Sequence, residues 1–379
     1  MEFTRIIQIT NTEEDSIFLW GPRQIGKSTL LKRRFPDAIY YDLLKSDECD
    51  RLRRKPSLLR EEVLCQSTEK IIIIDEVQKI PALLDEVHWL ICNHGYRFIL
   101  CGSSARKLKA AGTNLLGGRA LKCEMFPLVS AEVGDIDLLK AINDGMIPRH
   151  YLAADAKRRL QAYIAVYLEE EIRHEAQLRN LGAFNRFLEV AAGCDSEIVN
   201  YTNIAQDCGV SATTVKEYFS ILDQTLIGFM LPAFAKSNKR RIVQAPKFYY
   251  FDVGVANYLR HVSNITPGST EFGHALEHFV IQEIRAWLAY SYSDEKLSYW
   301  RTSSGIEVDC IIGNARVAIE IKSVTEIQPR HLKGLQSFGD DYPSARKIAV
   351  SLDKNRRLLN GIEIIPVKEF LNLMWSDGL

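Results

Sequence analysis

Asp309, Glu320 and Lys322 stand in "GIEVDCIIGNARVAIEIKSV", residues 305–324, as two acids and a lysine among short apolar runs. Side chains on a strand alternate between faces, so Glu320 and Lys322 share one face while Ile319 and Ile321 take the other. Asp309 alternates with Val308 and Cys310 in the same way. Two carboxylates converging from neighbouring strands offer hard oxygen donors suited to Mg2+ or Mn2+. Such an ion orients water and stabilises the charge that builds on a phosphate. Lys322 is expected to hold the attacking water or that charge. The same residues also fit ordinary strand charges facing water.

A second set lies near the other end, in "SIFLWGPRQIGKSTLLKRRF". Gly21, Pro22, Arg23, Gln24, Ile25, Gly26, Lys27 and Ser28 fit GxxxxGK followed by a hydroxyl residue. Backbone N–H groups of such a turn wrap phosphates, and glycine stands where a Cβ would obstruct them. Lys27 is expected on the β- and γ-phosphates and the Ser28 hydroxyl on Mg2+. Thr29 continues the helix towards the α-phosphate. In "KIIIIDEVQKIP" four isoleucines read as a strand buried on both faces. Asp75 ends it and is expected to hold the Mg2+ water shell, with Glu76 polarising the attacking water. "YRFILCGSSARKL" is a third strand whose end places Ser103 and Ser104 to sense a γ-phosphate. Arg119 follows two glycines and is expected to act as an arginine finger in a neighbouring subunit. The expected activity is ATP hydrolysis.

These pieces together resemble a family of archaeal and bacterial AAA-type ATPases that carry a C-terminal domain long labelled as of unknown function. The likeness runs from "GPRQIGKST", "IIIIDEVQK", "GSSARKL", "GGR" and "FPLVSAEV" through "YLEEEI", "PKFYYFDVGVANYL" and "ALEHFVIQEI" to "YWRTSSGIEVD" and "AIEIKSV". It implies architecture more firmly than function.

The middle carries "YTNIAQDCGVSATTVKEYFS", residues 201–220, which reads as a helix-turn-helix. Ala205 is small where the helices cross, Gly209 opens the turn with positive φ, and Ser211 caps the second helix. Ile204, Val210, Val215, Ile221 and Leu222 form its core. The second helix would present Thr213, Thr214, Lys216, Glu217 and Tyr218 to a major groove, although such units also serve only as packing. The basic segment that follows, with Lys236, Lys239, Arg240 and Arg241, reads as a wing gripping the phosphate backbone or as a linker. Residues 136–200 read as helices, and lone histidines such as His174 show no metal spacing.

The last part reads αβββαβ: the helix "EFGHALEHFVIQEIRAWLAY", strands at "LSYWRT", "GIEVDCIIG" and "RVAIEIKSV", a helix near "RHLKGLQSFGDDY", and the strand "KIAVSL". Leu276, Phe279, Val280, Ile284 and Leu288 make one broad apolar face, with Glu277 and Glu283 off its centre. The order and its acids resemble the PD-(D/E)xK nuclease fold, with Asp309, Glu320 and Lys322 as its triad and Glu277 as an outer metal ligand.

The chain has 379 residues, and its 48 basic side chains balance 48 acidic ones. Nucleic-acid affinity must therefore come from local clusters such as Lys32–Arg34, residues 51–55 and Lys157–Arg159. Eight scattered cysteines without CxxC spacing fit reduced thiols in a cytoplasmic protein. No apolar run approaches a membrane span, and no signal-peptide pattern is present.

The expected fold is α/β throughout. It comprises a P-loop AAA-type ATPase domain (1–135), a helical spacer (136–198), a winged helix-turn-helix (199–245) and a restriction-endonuclease-like domain (246–379). The expected function is an ATP-driven DNA-binding protein with a Mg-dependent nuclease-like domain, acting in DNA processing, recombination, mobile-element or defence roles on duplex or branched DNA. Homo-oligomers, a hexameric ring among them, suit the arginine finger. The alternatives are a Holliday-junction helicase or translocase whose last domain only binds DNA, and a regulatory ATPase whose tail binds protein or RNA.

Overall fold

The computed structural model describes residues 3–9, 14–104, 116–168, 180–234, 242–376 and 378–379. They divide into two compact units, Arg5–Pro127 with Gln224–Ile227, and Met1–Thr4 with Leu128–Asp223 and Gly228–Leu379.

The first unit is a parallel sheet between helices. Its strands are β1 (Ser16–Trp20), β2 (Ile39–Asp42), β3 (Ile71–Asp75), β4 (Arg97–Gly102) and β5 (Ala120–Glu124), in the order β2-β3-β4-β1-β5. Every pairing is parallel, so the connections cross over through α1 (Lys27–Arg34), α2 (Ser46–Arg54), α3 (Ser57–Val63) and α4 (Leu83–His94). Strands covered on both faces read as unbroken apolar runs. That is why "SIFLW" and the four isoleucines of β3 look as they do. Phe18, Trp20, Ile72, Ile74, Phe98 and Leu100 pack with helix residues such as Leu52, Leu59, Leu84 and Val87. In this order β1 and β3 flank β4, so the ends of all three strands meet at one edge, where ligands of open α/β sheets bind.

The second unit opens with short helices: α5 (Ser130–Val133), α6 (Leu138–Asp144), α7 (Pro148–Tyr151), α8 (Ala156–Ala162) and α9 (Leu181–Gly193). Then α10 (Tyr201–Cys208) and α11 (Ala212–Gln224) join through Gly209 at φ 67°. Asn200 caps the first through Thr202 N and Asn203 N. Ser211 caps the second, its Oγ accepting from Thr214 N at 3.1 Å. Ile204, Ala205, Val215 and Leu222 are buried between them, as their spacing predicts. An antiparallel pair follows, β6 (Gly228–Leu231) with β7 (Lys247–Tyr250).

Beyond α12 (Val253–Leu259) comes α13 (Thr270–Tyr290), capped by Ser269. Strands β8 (Leu297–Arg301), β9 (Glu307–Ile312) and β10 (Val317–Ile321), helix α14 (Lys333–Asp341) and strand β11 (Arg346–Ser351) complete the expected αβββαβ order. β12 (Arg357–Leu359), β13 (Ile362–Pro366) and α15 (Val367–Ser376) extend it. The sheet runs β12-β13-β11-β10-β9-β8. The α13 residues Leu276, Phe279 and Val280 share a core with Ile319, Ile321 and Cys310. On the other group, Leu335 and Phe338 of α14 pack with Ala318, Ile311 and Val308.

Two buried polar clusters tie this unit together. His278 Nδ1 lies 2.7 Å from Asp195 Oδ2, and its Nε2 lies 2.8 Å from Tyr250 O. Both partners are acceptors, so the geometry suits the doubly protonated ring. Burial works against that charge, but Asp195 outweighs it and raises the pKa. Glu283 accepts from Ser130 N, Ser130 Oγ and Trp375 Nε1 at 2.7–2.8 Å, and burial pushes its pKa up to about 7.

Candidate functional site

The phosphate loop follows β1 directly. Gly21 leaves no room for a side chain, because a Cβ there would run into Met125 O and the Ile25 Cδ1 atom. Gly26 sits at φ 96° where α1 begins, a conformation that a Cβ disfavours. Arg5 ties the loop down through Ile25 O. Lys27 is buried and its Nζ donates to Gly21 O and Pro22 O, both at 2.7 Å. The ammonium therefore already lies within the loop, and burial lowers its pKa.

Ser28 Oγ donates to Asp75 Oδ2 at 2.6 Å, joining the start of α1 to the end of β3. Asp75 Oδ1 is buried without a partner. A hydroxyl, a carboxylate and an orphaned hard oxygen fit a Mg2+ ion, so Ser28 and Asp75 are the residues that would hold it. Glu76 adopts φ 59°, in the sparsely occupied left-handed region, and Arg23 Nη2 stands 3.7 Å from its Oε2. Ser103 follows β4, the strand between β1 and β3, and is buried. Gln24 (φ 62°) and Thr29 are exposed on the loop and helix.

Two residues of this site escaped the sequence reading. Tyr40 is the second residue of β2, and its hydroxyl donates to Asp75 Oδ2 at 2.6 Å; burial and that bond raise its pKa. Gln78 donates to both Glu76 and Ser103. Arg119 lies at the far end. It precedes Ala120, which pairs with Ser16 at the start of β1, whereas the loop follows Trp20. Five residues of strand separate them, roughly 16 Å. The exposed Arg119, 3.2 Å from His88 Nε2, cannot serve its own phosphate loop.

In the second unit the β9–β10 register pairs Ile319 with Cys310, and one step further sets Glu320 opposite Asp309. Like charges facing each other across strands repel. Lys322, two residues along and on the same face, relieves this: Nζ stands 2.6 Å from Glu320 Oε1 and 3.6 Å from Asp309 Oδ2. Asp309 Oδ2 also accepts from Ile321 N at 2.7 Å. Both acids are buried, and Glu320 Oε2 has no partner. Burial, then the charge of Asp309, raises the pKa of Glu320 well above the ordinary value. Burial opposes the Lys322 ammonium, but Asp309 and Glu320 prevail and raise its pKa. The site thus gathers Asp309, Glu320 and Lys322 as their spacing predicts.

The strict alternation expected around Asp309 does not hold. Ser298 to Trp300 of β8 faces Ile311 to Val308 of β9, two steps against three. This β-bulge explains why Val308 packs with α14 while Cys310 and Ile312 pack with α13. Bulges re-aim side chains and are common beside functional sites.

Glu277 departs from its expected role. Its Oε1 accepts from Lys247 Nζ at 2.9 Å and Tyr249 Oη at 2.8 Å. Among the described residues no three His, Cys, Asp or Glu side chains are grouped to hold a metal ion, so Glu277 is not a third ligand in this arrangement. Burial raises its pKa to about 7, against the pull of Lys247. Lys247 is itself buried and bridges to Glu307 at 2.6 Å. The residues that fit a divalent ion here are Asp309 and Glu320, with the orphaned Glu320 Oε2 as the open donor. Mg2+ is commonly held by one or two carboxylates plus waters and substrate phosphates.

The expected DNA-contact residues fare unevenly. Tyr218 is buried, not outward: it packs on Phe184 and Phe187 at ring distances of 5.0 and 5.2 Å. Thr214 is spent on the helix cap. Thr213 and Lys216 are exposed, and Lys216 lies over the Tyr201 ring. Lys236, Lys239, Arg240 and Arg241, like His174, lie outside the described residues. The basic run 51–55 is largely neutralised, with Arg51 on Glu48 and Glu62, Arg53 on Asp50, and Lys55 on Glu61. Among the described residues no helix is long and apolar enough to cross a membrane.

Residues 13–134 match the AAA domain family. Residues 136–266 and 272–370 match two domains of unknown function, DUF8612 and DUF4143 respectively. No curated protein matches the chain. One similar solved structure is a signal transduction ATPase with numerous domains, carrying a tetratricopeptide repeat sensor, from Pyrococcus horikoshii. The two are 14% identical, with 75% of this chain and 46% of that one covered, at a TM-score of 0.21. The chain thus spans under half the length of that protein. The chain carries an AAA-type ATPase domain, and its motifs and its β2-β3-β4-β1-β5 sheet belong to that domain.

Proposed function

We propose that this protein is an ATP-driven enzyme whose C-terminal acid–lysine site acts on a phosphodiester of nucleic acid. At the ATP site, Lys27 and the loop amides bind the phosphates, Ser28 and Asp75 hold Mg2+, and Glu76 accepts the proton of the attacking water. At the second site, a Mg2+ or Mn2+ ion held by Asp309 and Glu320 supplies charge neutralisation at the phosphate. Lys322 holds a hydrogen bond to the water or to the leaving oxyanion. The αβββαβ order around these residues supports a PD-(D/E)xK-like nuclease fold, and the helix pair with its β6–β7 hairpin supports a winged helix-turn-helix.

The observation that carries this reading is the ammonium of Lys322 set against two buried carboxylates on adjacent strands, one with an oxygen lacking a partner. Surface charges in water have no reason to be buried in this way. The test is cleavage of duplex, branched and single-stranded DNA, and of RNA, with Mg2+ or Mn2+. Wild type is compared with Asp309→Ala, and ATP hydrolysis with Lys27→Ala. Equal cutting by wild type and Asp309→Ala refutes the nuclease role.

A second reading keeps nucleic-acid binding without cutting, as in a branched-DNA translocase. It is favoured by Lys247 and Tyr249 occupying Glu277, which leaves two carboxylates among the described residues, Asp309 and Glu320, to face a metal. ATP-dependent strand displacement that persists in Glu320→Ala, with no cutting by wild type, supports it. Partner subunits are proposed on the strength of Arg119, which no phosphate loop of its own chain can use.

A further inference from the structure

Gln78 was given no role in the nucleotide-binding motifs, yet it joins two parts of the ATP site. It lies in the turn Val77–Lys79 just past β3 and is 2% exposed. Its Nε2 donates to Glu76 Oε2 at 2.5 Å and to Ser103 Oγ at 3.1 Å. An amide nitrogen carries two hydrogens, so both bonds form at once. Reversing the amide would set Oε1 against the Glu76 carboxylate, so the orientation is fixed. Oε1 itself is buried and has no partner. Leaving a buried acceptor unpaired carries the full desolvation cost of that group, a cost that a purely structural side chain has no reason to carry.

The backbone makes room for this amide. A Cβ on Gly102 would run into Gln78 Oε1 and come 2.6 Å from a ring carbon of Trp20. Gly102 has no positive φ, so space, not conformation, asks for glycine there. Strand β4 therefore ends in a residue that admits Gln78, followed by the serine that Gln78 holds.

We propose that Gln78 is a positioning residue that couples γ-phosphate contact at Ser103 to the Glu76 carboxylate. Ser103 Oγ accepts from Gln78 and keeps its own hydrogen for a phosphate oxygen. Hydrogen bonds in such a chain polarise one another, so a phosphate on Ser103 strengthens the Gln78 bond. The same amide fixes Glu76 Oε2 and leaves Oε1 to accept from water. A base oriented by a third group is the general logic of an activated nucleophile. The proposal rests on Glu76 acting as the base in ATP hydrolysis.

The experiment compares steady-state ATP hydrolysis and binding of a fluorescent ATP analogue in four full-length proteins: wild type, Gln78→Leu, Glu76→Gln and the double variant. Gln78→Leu is expected to lower kcat about 10–100-fold, the range seen when orienting partners are lost, with the analogue's Kd within about threefold. In the Glu76→Gln background the same change is expected to cost less than about twofold, because the group it orients is already gone. Gln78→Asn, too short to span both partners, is expected to show the same split and serves if the leucine variant fails to fold. A wild-type kcat in both Gln78 variants overturns the proposal, as does an equal fold-loss in both backgrounds. If Glu76→Gln hydrolyses ATP at the wild-type rate, the base assignment fails and the proposal falls with it. An inactive Glu76→Gln beside an unaffected Gln78→Leu sinks the proposal alone.

Discussion

A divalent ion that enters between Asp309 and Glu320 must displace an ammonium. Lys322 Nζ stands 2.6 Å from Glu320 Oε1 and 3.6 Å from Asp309 Oδ2. Its side chain is 33% exposed, enough for the four-carbon stem to swing outward. The contact surrendered is a charge-assisted hydrogen bond, about 1.5–3 kcal/mol. Lys322→Met keeps an unbranched apolar stem and removes the competitor, so the ion no longer has to overcome that contact. At about 1.4 kcal/mol per decade, Mn2+ affinity should rise about 10–100-fold. On the proposed nuclease role, cleavage should fall in the same variant, because the group that would hold the water or oxyanion is gone. Without metal the variant leaves two like charges opposed across strands, so it should be less stable. Mn2+ at about 100 times Kd should return about 2.7 kcal/mol. The assay is a Mn2+ titration by electron paramagnetic resonance on nucleotide-free protein, with Asp309→Asn/Lys322→Met as control. An unchanged or weaker Kd in Lys322→Met refutes the reasoning, as does a gain that survives the loss of Asp309.

Three further outcomes are expected. Tyr40→Phe removes the bond to Asp75 Oδ2 and should weaken Mg-ATP binding by up to about tenfold, measured by calorimetry; an unchanged Kd assigns Tyr40 to packing alone. His278→Ala strips Asp195 Oδ2 of its buried partner and should destabilise the second unit by about 3–5 kcal/mol, read as faster amide exchange along Thr270–Tyr290; an effect below about 1 kcal/mol counts against an ion pair. Glu283 has a folded pKa of about 7, above the unfolded value of about 4.3, so its stabilisation is full below about pH 4.3 and is lost as pH rises towards 7. The loss is at most about 4 kcal/mol, from a difference of about 2.7 pKa units at about 1.36 kcal/mol each, and Glu283→Gln should flatten that part of the urea-midpoint profile; an unchanged slope refutes the assignment.

The ATP site was legible because phosphate imposes local demands. A loop of backbone amides, a lysine and a hydroxyl fall within eight consecutive residues, and four isoleucines announce the strand that delivers Asp75. Tyr40 was not legible: one aromatic residue inside a short strand carries no signal until β2 pairs with β3 and sets Asp42 beside Asp75. Gln78 stood in plain view in "DEVQK", but an amide has no chemistry of its own until its neighbours are known. Tyr218 was misread against a signal that was present. It lies three residues after Val215 and four before Leu222, the spacing of one helix face, so it belongs to the buried stripe with Phe184 and Phe187. The order αβββαβ was legible from alternation. The bulge at Asp309 was not, since an extra residue in one strand is defined only against its partner.

The acid cluster as a whole explains which of its carboxylates is free to do chemistry. Glu277, Glu307, Asp309 and Glu320 meet in one region with two lysines, and partly buried carboxylates need compensating charge. Each lysine takes two: Lys247 bridges Glu277 and Glu307, and Lys322 bridges Asp309 and Glu320. The two bridges differ in exposure, 4% for Lys247 against 33% for Lys322. A buried ammonium cannot leave without stranding two carboxylates, a loss of several kcal/mol. A partly exposed ammonium can swing into water and let a cation replace it. On the proposed reading a metal would therefore be taken up at Asp309 and Glu320, while Glu277 is fixed by Lys247 and Tyr249, residues of β7 that lie 30 and 28 positions upstream. The helix that looked as if it offered a ligand is instead held in place by a strand from the segment that read as a wing or a linker.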